Sequence, residues 1–478
     1  MDMIRPLLFG LAIPLYALTP CADMARLPDV TAALQTPTHC AVSITLRPSA
    51  DSEIQSALWL PSPFRWNGKF VMEGGGGFVG SINTNGMANA VREGYASAST
   101  DTGHTGGSGS FALGHPEKVT DFAYRAVHET AVRAKKLIAA YYGRAPRLSY
   151  WEGCSTGGRQ GLMSAERYPE DFDGIVAGAP ANNQVFVCAW RLRLLMTSLK
   201  SPRHALPPEK LKLLNAAVIE RCDAGDGVRD GLLEDPRDCR FDVRTLACKG
   251  ADTDCLTPEQ METVNVAYTD SRYAATGELI YPGLPFGGEL GWRLPAGGTE
   301  PGAMDIDMFR YIANQNAAWD WRSFDLEKDV ARALIHGKAI HAVEPDLAKF
   351  KARGGKLLIY HGWSDGGTSG AISALNTVNY YESILKAMGP DQGGWLRLFM
   401  VPGMAHCGGG TGPNQFHALA ALERWREQNE PPQSITAVRL NERGRVDMTR
   451  PLCPYPQRAV YKGAGSIFDA ANFACQAR

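Results

Sequence analysis

The pentapeptide Gly153-Cys154-Ser155-Thr156-Gly157, together with its setting, restricts this chain more than anything else in it. The run from Arg147 to Trp151 reads as a strand and Gly157 to Tyr168 as a helix. A serine between them must sit in a tight turn with small neighbours, because that turn lifts the hydroxyl clear of the sheet. The helix start and the Thr156 N–H then face any negative charge that develops beside the serine. A strand, a sharp turn and a helix in that order call for a mostly parallel sheet with helices packed on it.

The same rhythm recurs on both sides. Lys69 to Met72 is a short apolar strand that stops at Gly74–Gly77, and Tyr95 to Thr100 is another strand. Asp121 to Tyr142 places Phe122, Val127, Ala131, Leu137 and Ile138 at helical spacing and ends at Gly143. Gly174 to Ala177 is the next strand. From about Asn182 to Val343 the alternation lapses into sequence rich in Asp, Gly, Pro and Cys. It resumes with Lys356–Tyr360 (strand), Ala374–Met388 (helix), Leu396–Val401 (strand) and Phe416–Glu427 (helix). The expected fold is α/β: an α/β-hydrolase core over 21–181 and 344–478, with a large inserted lid domain over 182–343.

A serine hydroxyl is a weak nucleophile until a base takes its proton. In this fold class the acid and the histidine follow the serine, each after a later strand. Asp365 lies just past Lys356–Tyr360, in His361-Gly362-Trp363-Ser364-Asp365, and His406 just past Leu396–Val401, before Cys407. The expected roles are Ser155 as nucleophile, His406 as base and then acid, and Asp365 as the orienting carboxylate. Oxyanion donors are expected from Thr156 and from the glycine loop, at Gly76 or Gly77. His361 could compete as a base, although its place at a strand end suits a structural role. His104 and His128 read as hydrogen-bonded structural residues. Tyr360, Trp363 and Trp292 either line an acyl pocket or pack in a core.

The 11 cysteines point to an oxidising compartment, since several form close pairs in loop-like sequence. The local pairs are Cys21–Cys40, Cys222–Cys239, Cys248–Cys255 and Cys453–Cys475, which leaves Cys154, Cys188 and Cys407. Cys154 precedes the proposed nucleophile and Cys407 follows the proposed base. A disulfide between them would hold their Cα atoms about 5.5 Å apart and bring the neighbouring side chains within reach. Cys188 is then a free, buried thiol.

Export fits the N-terminus as well. Arg5 is followed by an apolar stretch from Leu7 to Leu18, the order of a secretory signal over roughly 1–20; the other reading is a buried N-terminal helix. The stretch is shorter than the ~20 residues a membrane span needs. A net charge of -1 gives no footprint for nucleic acid or an anionic membrane. The protein is expected to be secreted or periplasmic.

Asp223, Asp226 and Asp230 share one short glycine-rich loop, bracketed by Cys222 and Cys239. That is either a solvated acidic turn or a site for a hard cation, and so many carboxylates in one turn favour a structural Ca²⁺.

Taken together, Gly153-Cys154-Ser155-Thr156-Gly157-Gly158-Arg159-Gln160-Gly161, Asp365 and His406-Cys407 resemble the tannase/feruloyl esterase family, which includes mono(2-hydroxyethyl) terephthalate hydrolase. Gly74–Gly80, Ser99–His104, Asp121–Glu129, Asp171–Pro180 and Asn376–Tyr381 are similar too. The resemblance implies hydrolysis of aromatic carboxylic esters, feruloyl, hydroxycinnamoyl or galloyl, either as small molecules or linked to polysaccharide. It also implies lid calcium held by Asp223, Asp226, Asp230 and the carbonyls of Val228 and Leu232. One departure stands out: Gly366-Gly367-Thr368-Ser369-Gly370-Ala371 is longer than the family's usual segment after the acid. The alternatives are an esterase of terephthalate monoesters or simpler acyl groups, and a catalytically silent hydrolase-fold binding protein.

Overall fold

The computed structural model describes residues 18–78, 80–250, 253–292, 300–366 and 371–477. Residues 1–17 of the expected export signal lie outside the described residues, as do residues 367–370 of the longer segment after Asp365.

Among the described residues nine strands form the central sheet, in the order β1-β2-β3-β5-β4-β6-β7-β10-β11. These are β1 (Val30–Gln35), β2 (His39–Leu46), β3 (Ile54–Pro61), β4 (Lys69–Glu73), β5 (Ala96–Thr100), β6 (Leu148–Cys154), β7 (Gly174–Gly178), β10 (Lys356–Gly362) and β11 (Leu396–Val401). β1, β2 and β3 meet their neighbours antiparallel, as far as the β3–β5 pair. From β5 to β11 every pairing is parallel. The parallel strands are covered on both faces, so their side chains alternate between two cores rather than between core and water. Leu357 and Ile359 join Trp151, Leu162 and Val378 on one face. Leu358 joins Val176, Phe399, Leu422 and Trp425 on the other.

The order of connections decides where a site can form. The chain leaves β4 for β5 on one side, whereas it leaves β6 for β7 on the other, although β4 and β6 are neighbours. Such a reversal opens a crevice beyond the carboxyl ends of the two strands, where α/β sheets bind ligands. β4 runs into the Gly74–Gly77 loop and β6 into Ser155.

Helices form where their ends are satisfied. Asn83 caps the helix Thr84–Arg92 by accepting from the Gly86 N–H at 3.0 Å. The helix Ala126–Tyr142 ends at Gly143, at φ 68°. Residues Asp121–Arg125 before it form a π-turn. The buried Arg159 guanidinium takes the Ala123 carbonyl at 2.8 Å and the Phe122 carbonyl at 3.2 Å, which accounts for the widened turn.

Between β7 and β10 the chain adds no described strand to the central sheet. It builds the helices Gln184–Ser198, Pro208–Cys222, Pro258–Tyr268 and Leu326–Gly337, and a small antiparallel pair, β8 (Ser271–Arg272) and β9 (Leu279–Tyr281). Trp190, Trp292, Phe309 and Tyr281 are buried in its own apolar cluster, which extends to Phe78, Phe122 and Ile372 of the core. After β11 and the helix Ala418–Gln428 come two antiparallel pairs, β12 (Ile435–Leu440) with β13 (Val446–Leu452) and β14 (Arg458–Tyr461) with β15 (Phe473–Gln476). Five disulfides join Cys21–Cys40, Cys154–Cys407, Cys222–Cys239, Cys248–Cys255 and Cys453–Cys475, and Cys188 is a buried free thiol.

Candidate active site

Ser155 stands in the turn between β6 and the helix Thr156–Arg167, with φ 64° and ψ -122°. Its backbone is fixed on three sides. The Ser155 N–H donates to Gly178 O (2.9 Å), and its carbonyl accepts from Arg159 N–H (3.0 Å) and Ala181 N–H (3.1 Å). The glycines around it answer to close approach: a Cβ on Gly158 would lie 2.3 Å from Gly178 O, and one on Gly153 2.7 Å from Gly157 C. The turn therefore presses directly onto β7 and onto its own helix.

The glycine loop after β4 lies against this turn. Gly75 N–H donates to Gln160 Oε1 at 3.1 Å, and the Thr156 hydroxyl donates to Gly77 O at 3.0 Å. These two bonds hold the glycine loop, with Gly76 between the bonded Gly75 and Gly77, against the first turns of the helix Thr156–Arg167.

Two other turns complete the group. Trp363 N–H donates to Val401 O (2.9 Å) and Ser364 N–H to Met404 O (3.0 Å), which zips the turn after β10 to the turn after β11. Gly362 permits the approach, since a Cβ there would fall 2.2 Å from Met404 O. The Cys154–Cys407 disulfide, with a Cα–Cα distance of 5.9 Å across 253 positions, ties the β11 turn to the serine turn. His406 Nδ1 lies 2.7 Å from Asp365 Oδ2. His361 does not stand where a competing base would. It is fully buried, with Nε2 3.0 Å from the same Asp365 oxygen and Nδ1 2.7 Å from Thr377 Oγ1.

Electrostatics follow from that geometry. Burial opposes the Asp365 charge, but the charge of His406 and the hydrogen bonds from His361 and His406 outweigh it and hold the carboxyl at about 2. Burial likewise opposes a proton on His406, and the Arg191 charge adds to that. The Asp365 carboxylate wins, raising the imidazole above its ordinary 6.5.

The other candidate residues are placed as follows. His104 Nε2 contacts Phe78 O at 2.8 Å and His128 Nδ1 contacts Asp171 Oδ2 at 2.8 Å, both as structural hydrogen bonds. Trp363 is part of the main core and Trp292 part of the insertion's core. Tyr360 borders a cavity of about 470 Å³ behind the glycine loop, with Glu73, Glu152 and Asn83. Sequence reasoning passed over Thr377, Arg191 and Glu234. Thr377 and Arg191 reach their places through long-range packing, with no local pattern to mark them, whereas Glu234 follows four residues after Asp230 and the acidic loop itself could have marked it.

In the aspartate loop, Asp223 Oδ1 accepts from Asp230 and Gly231 N–H (3.3 and 3.1 Å), Asp226 Oδ1 from Val228 N–H (3.1 Å), and Asp230 Oδ1 from Leu232 N–H (3.1 Å). Asp230 also pairs with the buried Arg450. Among the described residues no three His, Cys, Asp or Glu side chains converge as metal ligands. The loop nevertheless carries surplus negative charge. Burial, with the neighbouring carboxylates, raises Asp226 to about 6 and Glu234 to about 8, and raises Asp223 as well.

A family model described as tannase and feruloyl esterase matches residues 40–476. An uncharacterized esterase of Xanthomonas campestris is 36% identical, covering 98% of this chain and 90% of the relative. A probable feruloyl esterase B-1 of Aspergillus terreus is 34% identical, covering 91% of this chain and 86% of the relative. The crystal structure of feruloyl esterase B from Aspergillus oryzae superimposes with a TM-score of 0.87 at 31% identity, covering 93% of this chain and 91% of that one. With an α/β-hydrolase sheet and relatives of this kind, the chain belongs to the tannase and feruloyl esterase family of carboxylic ester hydrolases.

Proposed function

We propose that this protein is an exported serine esterase that cleaves aromatic carboxylic esters, of the feruloyl, hydroxycinnamoyl or galloyl type, through an acyl-enzyme. Ser155 Oγ attacks the ester carbonyl while His406 takes its proton, and Asp365 holds the imidazole and balances its charge. The Thr156 N–H and an N–H of Gly76 or Gly77 receive the oxyanion. His406 then returns the proton to the leaving alcohol, and water repeats the sequence on the acyl-serine to release the acid. The observation that carries this reading is the Cys154–Cys407 bridge, which joins the neighbours of Ser155 and His406 while His406 sits 2.7 Å from Asp365.

Export is supported by five disulfides, which persist in oxidising compartments. No helix among the described residues is long and apolar enough to cross a membrane. The insertion, whose apolar cluster reaches Phe78 after the glycine loop and Ile372 after Asp365, suits a lid over the crevice. Calcium in the aspartate loop would be held by Asp223, Asp226, Asp230 and the Val228 and Leu232 carbonyls. Its contribution there is neutralisation of the loop, away from the chemistry.

The test is labelling by a fluorophosphonate probe, followed by turnover of methyl ferulate, methyl gallate and p-nitrophenyl esters. Labelling and turnover should both vanish in Ser155→Ala. Turnover that persists in that variant rejects the mechanism, and a preference for short acyl esters over methyl ferulate and methyl gallate rejects the substrate class.

A further inference from the structure

Two imidazoles approach one oxygen of the buried carboxylate. His406 Nδ1 is 2.7 Å and His361 Nε2 is 3.0 Å from Asp365 Oδ2, whereas Oδ1 receives the Ile372 N–H at 3.4 Å. Asp365 is 1% exposed, and His361 and Thr377 are fully buried. We propose that His361 is a positioning residue for the esterase reaction: anchored by Thr377 in the helix Ala374–Met388, it fixes the carboxylate that orients His406. This rests on the Ser155–His406–Asp365 reading above.

The tautomer follows from the contacts. Were the ring proton on Nδ1, the bare Nε2 lone pair would face a carboxylate oxygen at 3.0 Å, which is repulsive. The Thr377 hydroxyl therefore donates to Nδ1, 2.7 Å away, and Nε2–H donates to Asp365. Thr377 makes the imidazole a one-way donor, and His361 turns that into a fixed carboxylate.

Two consequences follow for catalysis. The orienting carboxylate is locked before charge develops on His406, so no reorganisation is needed in the transition state. In addition, a second donor on Oδ2 shares the oxygen's charge and weakens its pull on the His406 proton. His406 thus becomes available as a base at lower pH than it would beside Asp365 alone. The other groups acting on this pair are Arg191 from the helix Gln184–Ser198, which opposes a proton on His406, and Tyr281 from β9, whose hydroxyl accepts from Ser373 N–H and which feels the Asp365 charge. Both are unchanged in variants at 361 and 377, so a shift there reports on His361.

The experiment compares His361→Ala, His361→Gln and Thr377→Val with the wild type, by pH profiles of kcat and kcat/KM on an aryl ester, fluorophosphonate labelling rate and melting temperature. His361→Ala should lower kcat by roughly 10–100-fold, as loss of an outer hydrogen-bonding partner does at other functional side chains. KM should stay within about threefold, because substrate is not contacted. The acid limb of kcat/KM should rise by about half a pH unit or more. His361→Gln keeps an N–H donor toward Asp365 and should recover most of both effects. Thr377→Val should move them in the same direction by less, and it decides the matter if the alanine variant does not fold. Wild-type kcat and an unmoved limb in His361→Ala and Thr377→Val would overturn the proposal. So would equal losses in the alanine and glutamine variants with an unmoved limb and a lower melting temperature, which mark a purely structural side chain. A wild-type protein whose Ser155 is not labelled rejects the triad itself, an outcome distinct from these.

Discussion

Ser155 occupies a backbone conformation, φ 64° and ψ -122°, that an L-residue other than glycine adopts at a cost of roughly 1–3 kcal/mol. Cys407, next to His406, is also at positive φ, 60°. The strain is held by hydrogen bonds to Gly178, Arg159 and Ala181, and it leaves the hydroxyl at the open end of a helix. In the proposed triad His406 and Asp365 imply a definite pH behaviour. With His406 raised above 6.5 and Asp365 at about 2, kcat/KM should fall on acidification through a single limb above pH 6.5. Asp365→Asn removes the carboxylate that raises His406, so its limb should move to lower pH while kcat drops by about 10³-fold or more. A limb that stays in place in this variant would show that Asp365 does not control the imidazole. The placement of Ser155, Asp365 and His406 was legible because each follows a recognisable strand. Thr377 was not. Its contact with His361 depends on how a helix 16 positions away docks on β10, and no local spacing encodes that.

Among the elements, the parallel strands β4, β6, β7, β10 and β11 are short apolar runs ended by glycine or polar turns, and sequence locates them to within a few residues. β2 and β3 escape the same reading. Their buried positions include Ser56, whose hydroxyl meets that of Thr130 on the helix Ala126–Tyr142 at 2.7 Å, so the period-2 apolar signal is diluted. The closing pairs β12–β13 and β14–β15 are half-exposed and equally quiet. Position, not strand identity, sets β6 and β11 apart, since Cys154 at the end of β6 is bonded to Cys407 in the turn after β11. Closing so long a loop is worth roughly 5.5 kcal/mol in the chain-entropy model. β7 and β10 lie between these two strands in the sheet, so it is the bridge rather than strand pairing that draws the two turns together, and the local effect should dominate. Cys154→Ala with Cys407→Ala should keep the far-ultraviolet spectrum yet lose more than about tenfold in kcat, because a shift of 1 Å between nucleophile and base is that costly. Unchanged turnover in the folded double variant would show that the sheet alone sets the geometry.

Across the whole molecule, burial raises acids in several places, among them one cluster behind the glycine loop and a second in the aspartate loop. Glu73 and Glu152 sit opposite each other on β4 and β6. Burial, with the neighbouring carboxylates, raises Glu73 to about 8 and Glu152 to about 7, beside Glu234 at about 8 and Asp226 at about 6. The sign is the same for all four. A folded-state value above the unfolded one means stability is complete below pH 4 or so and is lost as pH rises through the folded values. Each such proton makes a slope of about 1.4 kcal/mol per pH unit while it titrates only in the unfolded chain. The melting temperature should therefore decline between pH 5 and pH 8.5. Glu73, 8% exposed and with no Lys or Arg among the described residues lining its cavity, gives the cleanest check: Glu73→Gln should flatten that decline. Calcium separates the second cluster from the first. An ion in the aspartate loop would favour ionised Asp226 and Glu234, so its stabilisation should grow with pH and leave the Glu73 contribution untouched. Chelation should lower the melting temperature at pH 8 more than at pH 5, with kcat nearly constant, and added calcium should restore it. Identical melting curves with and without chelator at pH 8 would reject the cation. A melting temperature that rises with pH, in wild type and Glu73→Gln alike, would reject the account of the buried acids.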